Sequence, residues 1–261
     1  MKYLAYAWLT LVMLFILTPA GFVVFDSFNS ATSFPSPFEG ATLRWYVALA
    51  DHPEFLEAAW TSLELAVIAA AIATIAGFLA AWGLASGRIP ARNAIITVLM
   101  GPLLVPELVV GLAILQIVGM FGPLLGLSLG LPVLVAAHAV FVLPVTVRLS
   151  LSGFSQFNFS LEEAARDLGA SPWRILLHIT LPLLRPSLLA GFVLAAVLSF
   201  VNLPLSMFLT TAQTSTLPVI AFAYMESRID PMIAAVATLV MLTAAAITLT
   251  VDRLLRFRLM E

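Results

Sequence analysis

The sequence has no cysteine, a single lysine and few charged residues of either sign. Among its 261 residues, 10% are Asp, Glu, Lys or Arg, and the lysine is Lys2. Without cysteine, neither a disulfide framework nor a thiolate metal site can form. A phosphate-binding loop of the G-x-x-x-x-G-K-[ST] type needs its own lysine, so the chain cannot use ATP by that mechanism.

Apolar residues dominate instead. They make up 62% of the chain, and the mean hydropathy of +1.08 is too high for a soluble domain of this length. The apolar runs are about 20 residues long, enough to cross a hydrocarbon core of roughly 30 Å as helix, and they lack the alternation of barrel strands. We predict an all-α integral membrane protein whose six transmembrane helices cover about residues 4–25, 60–85, 95–118, 131–151, 187–208 and 231–252.

Basic residues fall mostly on one side of these six spans. Because Lys and Arg near the ends of spans tend to be retained in the cytoplasm, their distribution predicts the orientation. One side carries Lys2, Arg88, Arg92, Arg148, Arg166, Arg174, Arg185, Arg253, Arg256 and Arg258. The other side carries Arg44 and Arg228. We predict a multi-pass protein with both termini in the cytoplasm and an ordered outer loop over residues 26–59.

The patterns that would indicate an enzyme are incomplete. The stretch G-L-S-L-G at 126–130 fits a nucleophile elbow, but it lies in an apolar turn between two spans instead of between a strand and a helix. The histidines His52, His138 and His178 fall at different depths or on different sides, so they lack paired metal-ligand spacing. We predict a chain that is not an enzyme, with no catalytic residue, metal site, bound cofactor or nucleic-acid partner.

A polar, patterned stretch interrupts the apolar runs between the fourth and fifth predicted spans. Ser160 and Glu163 have the spacing of a capping box, which predicts a helix start. Gly169 is placed to end that helix, and a second helix from Pro172 is expected to close at Pro182. One apolar stripe follows the first helix at helical spacing: Leu161, Ala164, Ala165 and Leu168. Spacing alone fits either a helix lying on the membrane surface or one that docks on a partner.

The same stretch resembles the EAA signature of the membrane subunits of ABC importers, E-A-A-x3-G-x9-I-x-L-P. All its positions are filled, by Glu163, Ala164, Ala165, Gly169, Ile179, Leu181 and Pro182. The resemblance implies the type I ABC importer permease architecture, as a single transmembrane permease domain over residues 1–261. It also implies that residues 152–186, here called the EAA segment, form a coupling loop whose coupling helix docks on the ATP-hydrolysing subunit.

The resemblance further implies a set of partners. Two ATPase subunits would bind ATP and Mg and dock on the seven signature residues, with Glu163 as a cap and polar contact and Gly169 as the turn. A second permease subunit, identical or homologous, would complete the pathway. A periplasmic or extracellular solute-binding protein would dock outside, and the whole would sit in the lipid bilayer of a bacterial inner membrane.

Two further stretches are similar to the spermidine/putrescine-type permease family. They are residues 44–66, which lead into the second predicted span, and residues 199–218. One departure is visible: acidic residues often follow the Ser-Phe pair in polyamine permeases, whereas this chain has Val201 and Asn202. The resemblance implies import of a small solute that is polyamine-like or another organic cation.

Two polar residues are candidates for the substrate pathway. Glu107 lies about 12 residues into the predicted third span, which places it roughly 18 Å from the inner end. A charge there must face protein, water or a counter-charge, so Glu107 either meets a cationic substrate or has a structural, helix-pairing role. Pro102 and Pro106 before it favour a position that lines a cavity. Asn202 is the second candidate.

The alternative function is a secondary transporter or channel subunit driven by an ion gradient. It predicts several intramembrane carboxylates, or paired broken helices in related halves, and it requires no docking loop. One buried glutamate and a complete EAA signature favour the importer.

Overall fold

The computed structural model describes residues 2–33, 37–87, 89–228 and 230–259, and almost all of them are helical. The helices are α1 Lys2–Asp26, α2 Arg44–Ala48, α3 Pro53–Ser86, α4 Arg92–Leu99, α5 Glu107–Leu125, α6 Leu131–Ser155, α7 Ser160–Asp167, α8 Pro172–Ile175, α9 Leu181–Phe200, α10 Leu203–Leu209, α11 Leu217–Ser227 and α12 Met232–Leu259. Within the described ranges, β structure is limited to an isolated bridge between Asn29 and Ala41.

Six helical stretches are long and apolar enough to cross a membrane, which confirms the predicted fold class. They are Lys2–Asp26, Pro53–Ala85, Glu107–Leu125, Leu131–Ser155, Pro172–Phe200 and Met232–Thr250. Arg88, one of the basic residues used to predict the orientation, lies outside the described residues, as do the side chains of Arg256 and Arg258.

The third span differs from its prediction over residues of about 95–118. The helix α4 ends at Leu99, a 3-10 turn covers Gly101–Leu103, and α5 begins only at Glu107. Pro106 precedes α5 in an extended conformation, with ψ of 131°. Because Pro102 and Pro106 lack a backbone N–H, they cannot continue the hydrogen-bond ladder of α4. The predicted continuous helix is therefore wrong, because the span runs over Glu107–Leu125, so it begins and ends further along the chain than predicted.

The fifth span also differs from its prediction. Pro182 does not close a separate helix, because α8, a π-helical turn over Leu176–Thr180 and α9 follow one another without a break. The wider π turn, in which the Leu181 N–H donates to the Leu176 carbonyl, accommodates the proline in the first turn of α9. At the other end α9 stops at Phe200 instead of 208, because Asn202 starts the new helix α10 with Pro204 in its first turn.

The chain divides into two compact units. One comprises residues 1–57 and 220–250, and the other comprises residues 58–219 and 251–261. In the second unit α6 is the most buried helix and packs against α3, α9 and α10. The core there is formed by Leu65, Ala70, Ala73, Leu134, Val135, Ala137, Phe141, Val142, Ala195, Leu205 and Leu209.

Small residues let the helices of this second unit approach closely. A Cβ at Gly153 would lie 2.6 Å from Ser187 Oγ, and a Cβ at Gly77 would clash with Thr146. The Thr146 hydroxyl in turn donates to the Ala73 carbonyl at 2.7 Å, joining α6 to α3. Such contacts replace the hydrophobic driving force that is missing between helices in lipid.

In the first unit, Asn29 organises the loop that follows α1. Its Oδ1 accepts from the N–H groups of Ala31 and Glu39, both at 3.1 Å. Its backbone carbonyl accepts from Trp45 Nε1 at 2.7 Å, and Arg44 Nη2 donates to the Ala31 carbonyl at 2.8 Å. These bonds confirm the predicted order of this loop in its described part.

Candidate functional site

A carboxylate and an amide meet where α5 begins and where α9 gives way to α10. Asn202 Nδ2 donates to Glu107 Oε2 at 2.9 Å. The Oδ1 atom of the same amide accepts from the Leu205 N–H at 2.9 Å and so caps α10. Asn202 is buried and Glu107 is half-buried. One amide therefore starts a helix and holds a carboxylate.

A buried histidine on α6 supports this pair. His138 has no exposed surface; its Nδ1 lies 2.8 Å from Ser199 Oγ and its Nε2 lies 3.1 Å from Ser206 Oγ. The Ser206 hydroxyl donates to the Asn202 carbonyl at 2.7 Å. Since that hydroxyl has one proton to give, His138 Nε2 is the donor in the bond to Ser206. The imidazole thus joins the end of α9 to α10 and fixes the break that presents Asn202.

The location of Glu107 differs from the prediction. It is the first residue of α5 instead of lying 12 residues inside a longer helix, so the predicted distance of roughly 18 Å from the inner end no longer applies. At a helix N-terminus the free N–H groups and the helix dipole favour a carboxylate. Glu107 and Asn202, predicted separately, are in direct contact. Their place in a substrate pathway stays a prediction.

A residue other than the predicted one engages the start of the first helix of the EAA segment. Asn158 Oδ1 accepts from both the N–H and the hydroxyl of Ser160, at 3.1 Å and 2.8 Å. The helix α7 has Phe159 at its N-cap position without a side-chain cap bond. The predicted capping box between Ser160 and Glu163 is wrong, because the Ser160 hydroxyl is engaged by Asn158. The side chain of Glu163 is exposed.

The turn after α7 forms as predicted. Gly169 has φ of +82°, a left-handed conformation that favours glycine. The Gly169 N–H donates to the Arg166 carbonyl and the Ala170 N–H donates to the Ala165 carbonyl, both at 3.0 Å. This pair of bonds is the Schellman motif, which ends a helix and reverses the chain.

The signature residues divide into an exposed part and a half-buried part. Glu163, Ala164 and Gly169 are exposed, while Ala165, Ile179, Leu181 and Pro182 are half-buried. Large apolar side chains of the same segment are also exposed: Leu161, Leu168, Trp173 and Leu177. Leu168 is 90% exposed and Trp173 is 73% exposed, so α7 and α8 present an apolar surface.

Two kinds of contact hold α7 to the rest of the EAA segment and to α3. Glu162 is buried on α7 and accepts a hydrogen bond from the Thr180 hydroxyl at 2.6 Å. An aromatic stack runs from Phe78 through Phe154 to Phe159, with ring centroids 6.0 Å and 6.1 Å apart. Leu176 and Leu184 are buried in the same cluster. The helix α7 is therefore held to the end of α6 and the start of α9, and the aromatic stack joins this cluster to α3.

The sequence patterns do not reveal the roles of three of these polar residues: His138, Ser206 and Glu162. The spacing of Ser199 and Asn202 around a helix break is visible in the sequence only once Pro204 is read as a first-turn residue. For Glu162 the sequence gives no signal, since it precedes an equally acidic Glu163.

The sequence is similar to those of known membrane transport proteins. A family model described as "Binding-protein-dependent transport system inner membrane component" matches residues 72–261. The spermidine/putrescine transport system permease protein PotC of Escherichia coli (strain K12) is 32% identical over 233 residues, covering 89% of this chain and 86% of the relative. The putrescine transport system permease protein PotI of the same strain is 31% identical over 230 residues, covering 87% and 82%.

Solved structures share the fold. The crystal structure of a bacterial ABC transporter involved in the import of the acidic polysaccharide alginate includes a chain that superposes with a TM-score of 0.68 at 17% sequence identity. The match covers 98% of this chain and 95% of that chain. At this identity the likeness extends to the fold and its helix order alone.

Proposed function

The chain belongs to the family of binding-protein-dependent transport system inner membrane components, and from this premise we propose that it passes a small organic cation through its half of an ATP-driven importer. As a family member it is a non-enzymatic, multi-pass membrane permease subunit. The solute, the residues that meet it and the partner subunits are the proposed parts.

The observation that carries the choice of solute is the Glu107–Asn202 pair. An amide N–H group held 2.9 Å from a carboxylate oxygen occupies the position that an ammonium N–H would take. The surrounding Ser199, Ser206 and His138 side chains add neutral hydrogen-bonding groups. A cationic amine can replace the Asn202 amide at Glu107 and gain a charge-assisted bond. Two relatives that carry polyamine names support an amine as the solute.

The exposed face of α7 and α8 supports docking of an ATPase subunit. Leu161, Leu168 and Trp173 would be buried by a partner, and removing such apolar area from water contributes about 25 cal/mol per Å². Glu163 and Gly169 are also exposed in this segment and would supply the polar contact and the turn, beside Ala164 and Ala165. Ile179, Leu181 and Pro182 are half-buried and would support the face from beneath.

The remaining partners follow from the same proposal. ATP and Mg would bind to the ATPase subunits, since the single lysine of this chain is Lys2. A second permease, identical or homologous, and an external solute-binding protein would complete an assembly in a bacterial inner membrane. The chain would act as one permease domain with both termini cytoplasmic.

Co-purification tests the assembly and uptake tests the solute. The tagged chain is solubilised gently from its native membrane and its partners are identified by mass spectrometry. We expect an ATPase with a phosphate-binding loop, a permease and a solute-binding protein. Putrescine and spermidine are then compared with an uncharged diol of the same length in vesicles that hold the assembly. Recovery of the chain alone in several mild detergents contradicts the assembly, and equal uptake of the diol contradicts the cation.

A further inference from the structure

Glu162 is the charged side chain of α7 that the protein buries. It is 4% exposed, whereas Glu163, Arg166 and Asp167 of the same helix are exposed. A buried carboxylate loses its hydration and needs hydrogen bonds or a counter-charge in exchange. Its Oε1 accepts from Thr180 Oγ1 at 2.6 Å, and its Oε2 lies 3.5 Å from Arg166 Nη2. Both oxygens therefore have partners within the EAA segment.

Thr180 occupies a special place in the chain. It is fully buried and is the last residue of the π-helical turn Leu176–Thr180, directly before α9. A π turn holds one residue more than an α turn and is found mostly at functional positions in helices. The Glu162–Thr180 bond thus connects α7 to the point where the EAA segment becomes a membrane-spanning helix.

We infer that the Glu162–Thr180 hydrogen bond is a strut that transmits a displacement of α7 to α9. Along the backbone, the route from α7 to α9 passes through the Gly169 turn, the short helix α8 and the π turn. The two turns on this route can bend and absorb movement. The Glu162–Thr180 bond connects α7 directly to the start of α9 and so bypasses this route. Glu162 and Thr180 are positioning residues, and the inference rests on the proposed docking of an ATPase subunit on α7.

The far end of α9 leads to the Glu107–Asn202 pair. The 20 residues of α9 extend over about 30 Å, from Thr180 to the Ser199 that binds His138. Along this length α9 packs on α6, closely enough at Gly191 that a Cβ there would lie 3.7 Å from the Leu149 Cβ. A shift applied at Thr180 therefore reaches the break before α10, where Asn202 holds Glu107. The strut and α9 form one contiguous physical path between the two regions.

The test uses the assembled importer with this chain in full. Since the chain has no cysteine, Leu104→Cys gives a single labelling site, 76% exposed and three residues before Glu107. The rate of maleimide labelling of this chain is measured with and without ATP and Mg. Thr180→Val removes the donor at nearly constant shape, Thr180→Ser keeps the donor, and Glu162→Ala removes the acceptor. ATPase co-purification and ATP hydrolysis are measured on the same samples.

We expect ATP to change the labelling rate in the Leu104→Cys parent and in Thr180→Ser. In Thr180→Val and in Glu162→Ala the ATP effect should fall roughly tenfold, the scale of a typical coupling between sites. The ATPase should co-purify and hydrolyse ATP as in the parent. The double variant should be no worse than the poorer single variant, because both changes break the same bond.

Four results would overturn the strut. The first is a full ATP effect on the labelling rate in Thr180→Val, and the second is loss of the ATPase from that variant. The third is failure of Thr180→Val to accumulate where Thr180→Ser accumulates. The fourth is a double variant in which the two losses of the ATP effect multiply. Loss or non-accumulation would assign the bond to docking or folding instead of transmission. If the parent assembly itself gives no ATP-dependent change, the proposed ATP-driven function fails, and the strut fails with it. The Leu104→Cys parent, with Glu162 and Thr180 intact, distinguishes that failure from failure of the strut alone.

Discussion

At the scale of single residues, the site depends on hydrogen bonds that serve two purposes. Asn202 caps α10 and holds Glu107, and Ser206 supports the Asn202 carbonyl while it binds His138. Because each group has few protons and lone pairs to offer, few other hydrogen-bond arrangements would satisfy all of these groups. Changing one member therefore alters both the local fold and the candidate solute site.

The first prediction concerns the carboxylate of Glu107. Glu107→Gln keeps the size of the side chain but removes its charge, so a cationic solute loses a charge-assisted bond of about 1.5–3 kcal/mol. Uptake of putrescine at low concentration should fall roughly 10- to 100-fold in vesicles that hold the assembly. Glu64→Gln, which changes an exposed carboxylate on α3, is the matched control and should stay within about twofold of wild type. Unchanged uptake in Glu107→Gln would remove this residue from the pathway.

The second prediction concerns His138. His138→Ala leaves the buried hydroxyls of Ser199 and Ser206 without their imidazole partner, at a cost of about 1–3 kcal/mol for each group. The apparent Tm in detergent should fall by roughly 5 to 15 °C for a chain of this length. His178→Ala is the control, since His178 is exposed and should leave the Tm unchanged. Equal Tm values in the two variants would contradict a supporting role for His138.

At the scale of elements, hydropathy predicted the number of membrane-spanning helices but not where they begin and end. Residues of about 95–118 are mostly apolar on both sides of Glu107, so a hydropathy profile does not show the break before it. Pro102 and Pro106 carried the signal, as Pro204 did for the start of α10. Pro182 misled in the other direction, because a π turn accommodates it and the helix continues. Whether a proline ends a helix is decided by its neighbours in space, which the sequence does not contain.

The EAA segment illustrates the same limit within one short helix. The apolar stripe and the Gly169 turn follow from local rules and are present. The cap by Asn158 is a competing local bond to Ser160, and the burial of Glu162 depends on Thr180, which lies in another helical turn of the segment. Local patterns therefore identified the surface that a partner would cover, but not the groups that hold this surface in place.

The third prediction concerns the turn after α7. Gly169→Ala meets no atom within 4 Å, so its effect arises from the left-handed backbone, at about 1–2 kcal/mol. The ATPase should dock roughly tenfold more weakly, measured by its recovery with the tagged chain at increasing dilution. Glu163→Lys and Gly169→Asp should abolish transport while membrane insertion is retained. Gly119→Ala on α5, which also meets no atom within 4 Å, is the control and should dock normally. Full docking and transport in the Gly169 and Glu163 variants would contradict the docking assignment.

At the scale of the whole molecule, the segments predicted to lie outside and inside the cell differ in charge and in structure. The loop after α1 is held together by Asn29, and Arg44 is the single basic residue of the chain between Lys2 and Arg88. The EAA segment, by contrast, contains Arg166, Arg174 and Arg185. The proposed orientation places Arg44 outside the cell and the other three inside.

The fourth prediction combines this orientation with the order of the first loop. Asn29→Ala removes the hydrogen bonds that its amide makes to Asp26, Ala31, Pro37 and Glu39, so the loop should open. Trypsin added to spheroplasts should then cut after Arg44 and give a membrane-embedded fragment of residues 1–44, at a rate at least about tenfold above wild type. Arg44→Gln in the same background should abolish the cut. Cleavage only from the cytoplasmic side would reverse the proposed orientation.

In the proposed importer, the bond between Asn202 and Glu107 would also affect the energy supply of the cell. A bare carboxylate in a membrane pore attracts sodium ions and protons, and each elementary charge that leaks inward dissipates about 2.3 kcal/mol per 100 mV of membrane potential. The amide of Asn202 occupies one of the two Glu107 oxygens, so an ion that binds to this oxygen must first displace the amide. If Glu107 lines the pathway, we expect a cationic amine with several N–H groups to displace the amide more readily than a hydrated sodium ion does. The resting pore would then lose less of the ion gradients on which the rest of the cell depends.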